Sequence, residues 1–84
     1  METKWYLYIL QCGDGTLYTG IATDVERRLE EHRAGKGAKY TRGRTPLEVV
    51  YTEHCRDHSH ALKREYAVKG LSRKEKLEMI AREE

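Results

Sequence analysis

Tyr8, Tyr18, Arg28, His32 and Glu65 are the residues of this chain whose types and spacing suit proton transfer and charge stabilisation at a phosphate. Glu65 is the most informative. On a helix advancing about 100° per residue, with Ala61 at zero, Val68 falls at about −20°, Leu62 at about 100° and Glu65 at about 40°, inside the apolar arc. Carboxylates are seldom buried alone, so this position calls for a cation, either a side chain or a metal. A hard oxygen donor suits one magnesium or manganese ion held otherwise by water and substrate phosphate. With Val25 at zero on the preceding helix, Leu29 falls at about 40°, His32 at about −20° and Arg28 at about −60°, whereas Arg27 lies near 200° on the solvent side.

Each group has a separate task in phosphodiester hydrolysis. The metal would polarise a phosphoryl oxygen and stabilise the leaving oxyanion, and the Arg28 guanidinium would neutralise the equatorial charge through paired hydrogen bonds. The tyrosine hydroxyls would position the attacking water. A phenol with an ordinary pKa of about 10 is a poor base near neutrality, so Tyr8 or Tyr18 needs a nearby cation or His32 to take the proton.

These side chains must be held by a small set of elements. Trp5 to Leu10 is apolar or aromatic throughout, as in a strand covered on both faces, with Trp5, Leu7 and Ile9 to one side and Tyr6, Tyr8 and Leu10 to the other. Gly13-Asp14-Gly15 is expected to supply positive φ angles for a tight turn, and Leu17 to Ile21 resumes the extended pattern, giving a β-hairpin. Thr23 and Glu26 form a capping-box pattern for a first helix, Asp24 to Arg33, ending near Ala34 with Gly35 in the left-handed conformation. Pro46 sets a bend, and Leu47 to Thr52 alternates as a third strand. A second helix is predicted from about His58 to Lys69, capped by Asp57 or Ser59 and stopped at Gly70. Ser72 and Glu75 open a short third helix whose apolar set is Leu71, Leu77 and Ile80.

The bulk properties restrict the setting. A chain of 84 residues is expected to form one domain, residues 1–84, without room for a separate recognition module. A charged fraction of 36% beside 38% hydrophobic residues fits a folded protein with a thin core. The net charge of +2 is uninformative, but Lys36, Lys39, Arg42 and Arg44 lie together between glycines with no acid among them. That segment reads as a basic, flexible loop able to track a nucleic-acid backbone. No run of about 18 apolar residues occurs, and no signal-peptide cleavage site follows the apolar start, so a cytoplasmic protein without membrane contact is expected. Cys12 and Cys55 are too few and too far apart to announce a disulfide framework and read as reduced thiols.

It is on these residues that the chain resembles the GIY-YIG endonuclease superfamily, in particular its small single-domain bacterial, UPF0213-like members. Tyr6-Leu7-Tyr8 is similar to the first signature, with Tyr8 in the tyrosine place, and Tyr18-Thr19-Gly20 to the second. Leu7 and Thr19 stand where the name-giving isoleucines do. Thr23 to His32 is similar to the first helix, with Arg28 at the catalytic arginine, and Glu65 stands where the family has its metal-binding glutamate. The resemblance implies an α+β fold, a three-stranded antiparallel sheet flanked by helices, and single-metal cleavage of nucleic acid, DNA more readily than RNA.

Other readings of the same residues are simpler. Tyr6 is an ordinary strand aromatic, and Glu65 could pair with Arg28 only to hold the fold. The fold could also serve as a non-catalytic nucleic-acid-binding module working with a protein partner that supplies specificity. His54, Cys55, His58 and His60 invite a zinc site, although only one ligand knuckle is visible and a polar strand-to-helix turn explains them.

Overall fold

The computed structural model describes residues 3–82. Its sheet has β1 (Trp5–Gln11) at the centre, with β2 (Leu17–Ala22) on one edge and β3 (Glu48–Cys55) on the other, all antiparallel. The central place explains the unbroken apolar run of β1, since both of its faces are covered. Leu7 and Ile9 meet Cys55, Ala61 and Val68 on one side, and Tyr8, Leu10 and Ala22 meet Val25 and Leu29 on the other. Tyr8 lies opposite Gly20, and Leu10 opposite Tyr18. On the β3 side the register shifts between Ile9 and Leu10, which pair with Tyr51 and Val49. β3 also begins one residue later and runs three further than alternation predicts, because pairing with β1 carries it through His54 and Cys55.

α1 (Val25–Arg33) packs over the Tyr8 face, and α2 (His58–Lys69) lies along β2 and β1. The α1 cap departs from the expected box. Asp24, not Thr23, takes the extended conformation and accepts the Arg27 amide, a carboxylate being the stronger acceptor for an exposed helix N-terminus. α2 is capped by Asp57, and α3 (Arg73–Arg82) has the predicted reciprocal bonds between Ser72 and Glu75. Leu71, just before α3, and Met79 and Ile80 within it pack partly buried against the core, whereas Leu77 is 44% exposed. In the hairpin Gly15 alone has a positive φ. Gly13 is needed for close approach instead, since a Cβ there would stand 2.2 Å from the Thr45 carbonyl oxygen.

The segment expected to be a flexible loop is pinned. A 3₁₀ turn (Lys39–Thr41) buries Thr41, and Arg44 pairs with Asp14 in the hairpin turn. The cysteines are free and buried. Among the described residues no helix is long and apolar enough to cross a membrane.

Among the described residues one buried side-chain polar atom lacks a hydrogen-bond partner. Thr19 points to the Leu7 and Ile9 side, is 3% exposed, and its Oγ1 finds no hydrogen-bond partner among the described residues. Thr19→Val removes the desolvated hydroxyl and keeps the shape, so it should stabilise the fold by about 1 kcal/mol. Thermal unfolding should register a rise in Tm of roughly 4–8 °C, and no rise would mean that the hydroxyl is satisfied in solution.

Candidate active site

Gly20 makes the site possible. A Cβ on Gly20 would lie 2.6 Å from the Tyr8 hydroxyl oxygen, so the absence of a side chain on β2 gives the Tyr8 ring its place. The ring is buried and ends 2.9 Å from Nε2 of His32, which projects from the last turn of α1 and is 1% exposed. Tyr18 closes the group, its ring centroid 5.3 Å from that of His32 and 6.4 Å from that of Tyr8. Hairpin register and helical spacing thus bring together three rings that are distant in sequence.

Arg28 is one turn before His32 and half-buried, with Nη1 donating to Glu31 Oε1 at 3.0 Å. Glu65 comes from α2, its side chain 21% exposed and held by Lys69 Nζ at 3.4 Å. The cation required by its place on the helix is therefore Lys69, one turn on, and Arg28 is paired with Glu31 instead. Tyr8 still senses both charges. Burial pushes its phenol up to about 12, Tyr18 and Glu65 act in the same direction, and the Arg28 hydrogen bond and charge oppose them. Burial, then the Arg28 charge, holds His32 below its usual 6.5, with Glu31 opposing. At neutral pH the site holds a neutral phenol and a neutral imidazole beside a guanidinium.

The surrounding cations are less uniform than their spacing suggests. Lys36, Lys39 and Arg42 are exposed, whereas Arg44 lies over the Tyr40 ring at 4.4 Å and pairs with Asp14. Tyr40 in turn stacks on Tyr18 with centroids 5.8 Å apart. Sequence reasoning missed Tyr40, Thr41 and Lys69. The i,i+4 spacing of Glu65 and Lys69 is a signal for one of them, and the aromatic between two cations for another. Thr41 carries no such signal. Tyr6 packs on His54 away from the three rings, and Arg27 is exposed, both as expected.

The zinc reading fails on direction. Cys55 is buried beside Leu7, His58 stacks on Trp5, His54 packs on Tyr6, and His60 Nδ1 accepts the Arg56 amide. Successive strand residues face opposite sides of a sheet, so these ligands diverge. Among the described residues no three His, Cys, Asp or Glu side chains gather as a metal site.

Comparison with known proteins agrees with this architecture. A UPF0213 protein of Natronomonas pharaonis is 54% identical over 83 residues, which span 99% of this chain and 98% of that one. The solution structure of a UPF0213 protein from Bacillus halodurans is 49% identical and superposes with a TM-score of 0.60, covering 93% of this chain and 83% of its own. A solution structure from E. faecalis is 44% identical with a TM-score of 0.65, covering 96% and 88%. The GIY-YIG catalytic domain matches residues 4–78, a stretch that holds both tyrosine strands, the arginine helix and the glutamate helix. The chain belongs to the GIY-YIG catalytic-domain family.

Proposed function

We propose that this domain hydrolyses phosphodiester bonds in nucleic acid, DNA in preference to RNA, with one magnesium or manganese ion held at Glu65. Family membership implies nuclease-like action on nucleic acid. The observation that carries the finer reading is the convergence on Tyr8, where His32 lies at hydrogen-bond distance and Tyr18, Arg28 and Glu65 all act on the hydroxyl.

Glu65 fits a hard cation. Its carboxylate is half-buried, partly accessible, and held by one flexible lysine that a metal could replace. A single protein carboxylate suits magnesium, which keeps several waters and binds substrate phosphate. Bound there, a divalent ion supplies Lewis-acid stabilisation of charge on the phosphoryl group.

The protein groups do the rest. Arg28, anchored through Nη1 to Glu31, turns its remaining donors to the scissile phosphate. Tyr8 orients the attacking water and receives its proton. A phenol with a pKa near 12 does not ionise beforehand, so its own proton must move to His32 Nε2 in the same step. Lys36, Lys39 and Arg42 track the backbone by charge alone, and a protein partner supplies target choice.

The test is incubation of purified protein with branched, single-stranded and duplex DNA, and with RNA, in the presence of magnesium, manganese or a chelator. Cleavage should require metal, and Glu65→Ala should lower it by about 10²-fold or more, as for loss of a principal electrostatic group. Binding should survive that substitution. Equal products from both proteins would remove Glu65 from the mechanism. Binding without cleavage, insensitive to metal, would assign the domain as a non-catalytic nucleic-acid-binding module.

A further inference from the structure

Thr41 ends the short 3₁₀ turn, outside the sheet and the α-helices, yet it is 1% exposed. Its Oγ1 donates to the Ala38 carbonyl at 2.9 Å and lies 2.9 Å from Nδ1 of His32. A hydroxyl has one proton. With that proton on the Ala38 carbonyl, Oγ1 presents a lone pair to the ring, and Nδ1 must carry hydrogen. Nε2 is then bare and accepts from the Tyr8 hydroxyl.

A competing arrangement is visible. The Ala38 amide points at Nδ1 from 3.3 Å, and if it donated there the ring proton would move to Nε2. That arrangement sets a bare Nδ1 against the Thr41 lone pair, or takes the hydroxyl proton away from the Ala38 carbonyl. The Nδ1–H form keeps the bonds at 2.9 Å and gives up only the longer one. Gly37 lets the loop close on this edge, because a Cβ there would lie 2.3 Å from Nδ1.

We propose that Thr41 is a positioning residue that fixes the Nδ1–H tautomer of His32 and so makes Nε2 the atom that takes the Tyr8 proton. The role rests on the hydrolase reading above, while the tautomer itself does not. As the water oxygen bonds to phosphorus and the bond to the leaving oxygen breaks, the water proton passes to Tyr8 and the Tyr8 proton to Nε2. The leaving oxygen is protonated from solvent. The resulting imidazolium still donates through Nδ1 to Thr41. With the other tautomer Nε2 already holds a proton and the transfer has no acceptor.

Nitrogen-15 NMR of the His32 ring, in the full chain at a pH where the imidazole is neutral, tests this. Wild type and Thr41→Ser should show protonated Nδ1 and bare Nε2. Thr41→Val keeps the shape and removes the hydroxyl, leaving the Ala38 amide as the partner of Nδ1, so the proton should shift toward Nε2. Cleavage by Thr41→Val should fall about 10- to 100-fold in kcat with KM unchanged, the range for loss of a group that orients an imidazole, and Thr41→Ser should retain activity. A wild-type protein with protonated Nε2 overturns the proposal, as does a Thr41→Val ring in the wild-type state. If Thr41→Val fails to fold, the wild-type and Thr41→Ser spectra still decide the tautomer. Protonated Nδ1 in a protein that cleaves no substrate supports the tautomer and counts against the hydrolase reading.

Discussion

Tyr8→Phe is expected to lower the cleavage rate by about 10²–10⁴-fold, the range for loss of a positioned acid–base group, while the protein still folds and binds nucleic acid. The ring fills the same space between Gly20 and His32, so packing is kept. What disappears is the path from water to Nε2, and the bare nitrogen loses its partner at a stability cost of about 1 kcal/mol. Single-turnover cleavage beside a thermal melt separates the two effects. A Phe variant that cuts at the wild-type rate would transfer the proton task to Tyr18 or to solvent.

The pH profile carries the same argument. His32 must be neutral to accept a proton, and burial with the Arg28 charge holds it below 6.5. Cleavage should therefore climb with pH to a plateau from a midpoint below 6.5, with no falling limb from Tyr8 short of about 12. Any residual activity of Tyr8→Phe should lose the acidic limb, since it no longer passes through the ring. Stability follows the same sign. The unfolded imidazole protonates near 6.5 and the folded one only at lower pH. Its contribution is therefore complete above 6.5 and is lost as the pH falls toward the folded value.

Gly20→Ala should damage fold and site together. The new Cβ would stand 2.6 Å from the Tyr8 oxygen, 2.7 Å from its Cζ and 3.1 Å from Tyr18 Cε2. Tyr8 is 1% exposed and belongs to a buried cluster with Leu10 and Ala22 against which Tyr18, Val25 and Leu29 pack, so the ring has little room to swing aside. Overpacking of this kind costs about 1–3 kcal/mol, and each kcal/mol lowers Tm by roughly 4–8 °C in a domain of this size. The hydroxyl should also leave His32, so cleavage by the folded fraction falls. Gly70→Ala is the matched control, because its Cβ would meet nothing nearer than 3.5 Å at a helical φ of −79°. A Gly20→Ala protein that melts and cleaves like wild type would show that the Tyr8 ring moves.

Local chemistry made much of this readable in advance. The side of the sheet taken by Tyr8, the burial of His32 and the partial burial of Glu65 follow from strand alternation and helical period, which depend only on the chain itself. The Ser72 and Glu75 cap is likewise a matter of residues three apart. The α1 cap differs from its pattern, since the Asp24 carboxylate takes the place that the Thr23 and Glu26 spacing assigns to Thr23.

Sequence by itself determined which residues face inward and which could do chemistry, because periodicity and residue type are local properties. Tertiary structure decided which of them meet. Glu65–Lys69 and Arg28–Glu31 are pairs at i,i+4 and i,i+3 that helical spacing alone permits, whereas Tyr8, Tyr18 and His32 come together only through the hairpin register and the packing of α1 on the sheet. Leu77, placed in the apolar set of α3 by its spacing, is exposed, and Met79 packs against the core instead. Thr41 reaches His32 only because a 3₁₀ turn, Gly37 and the Arg44–Asp14 pair fold the basic loop back over the ring, a closure that no single spacing encodes.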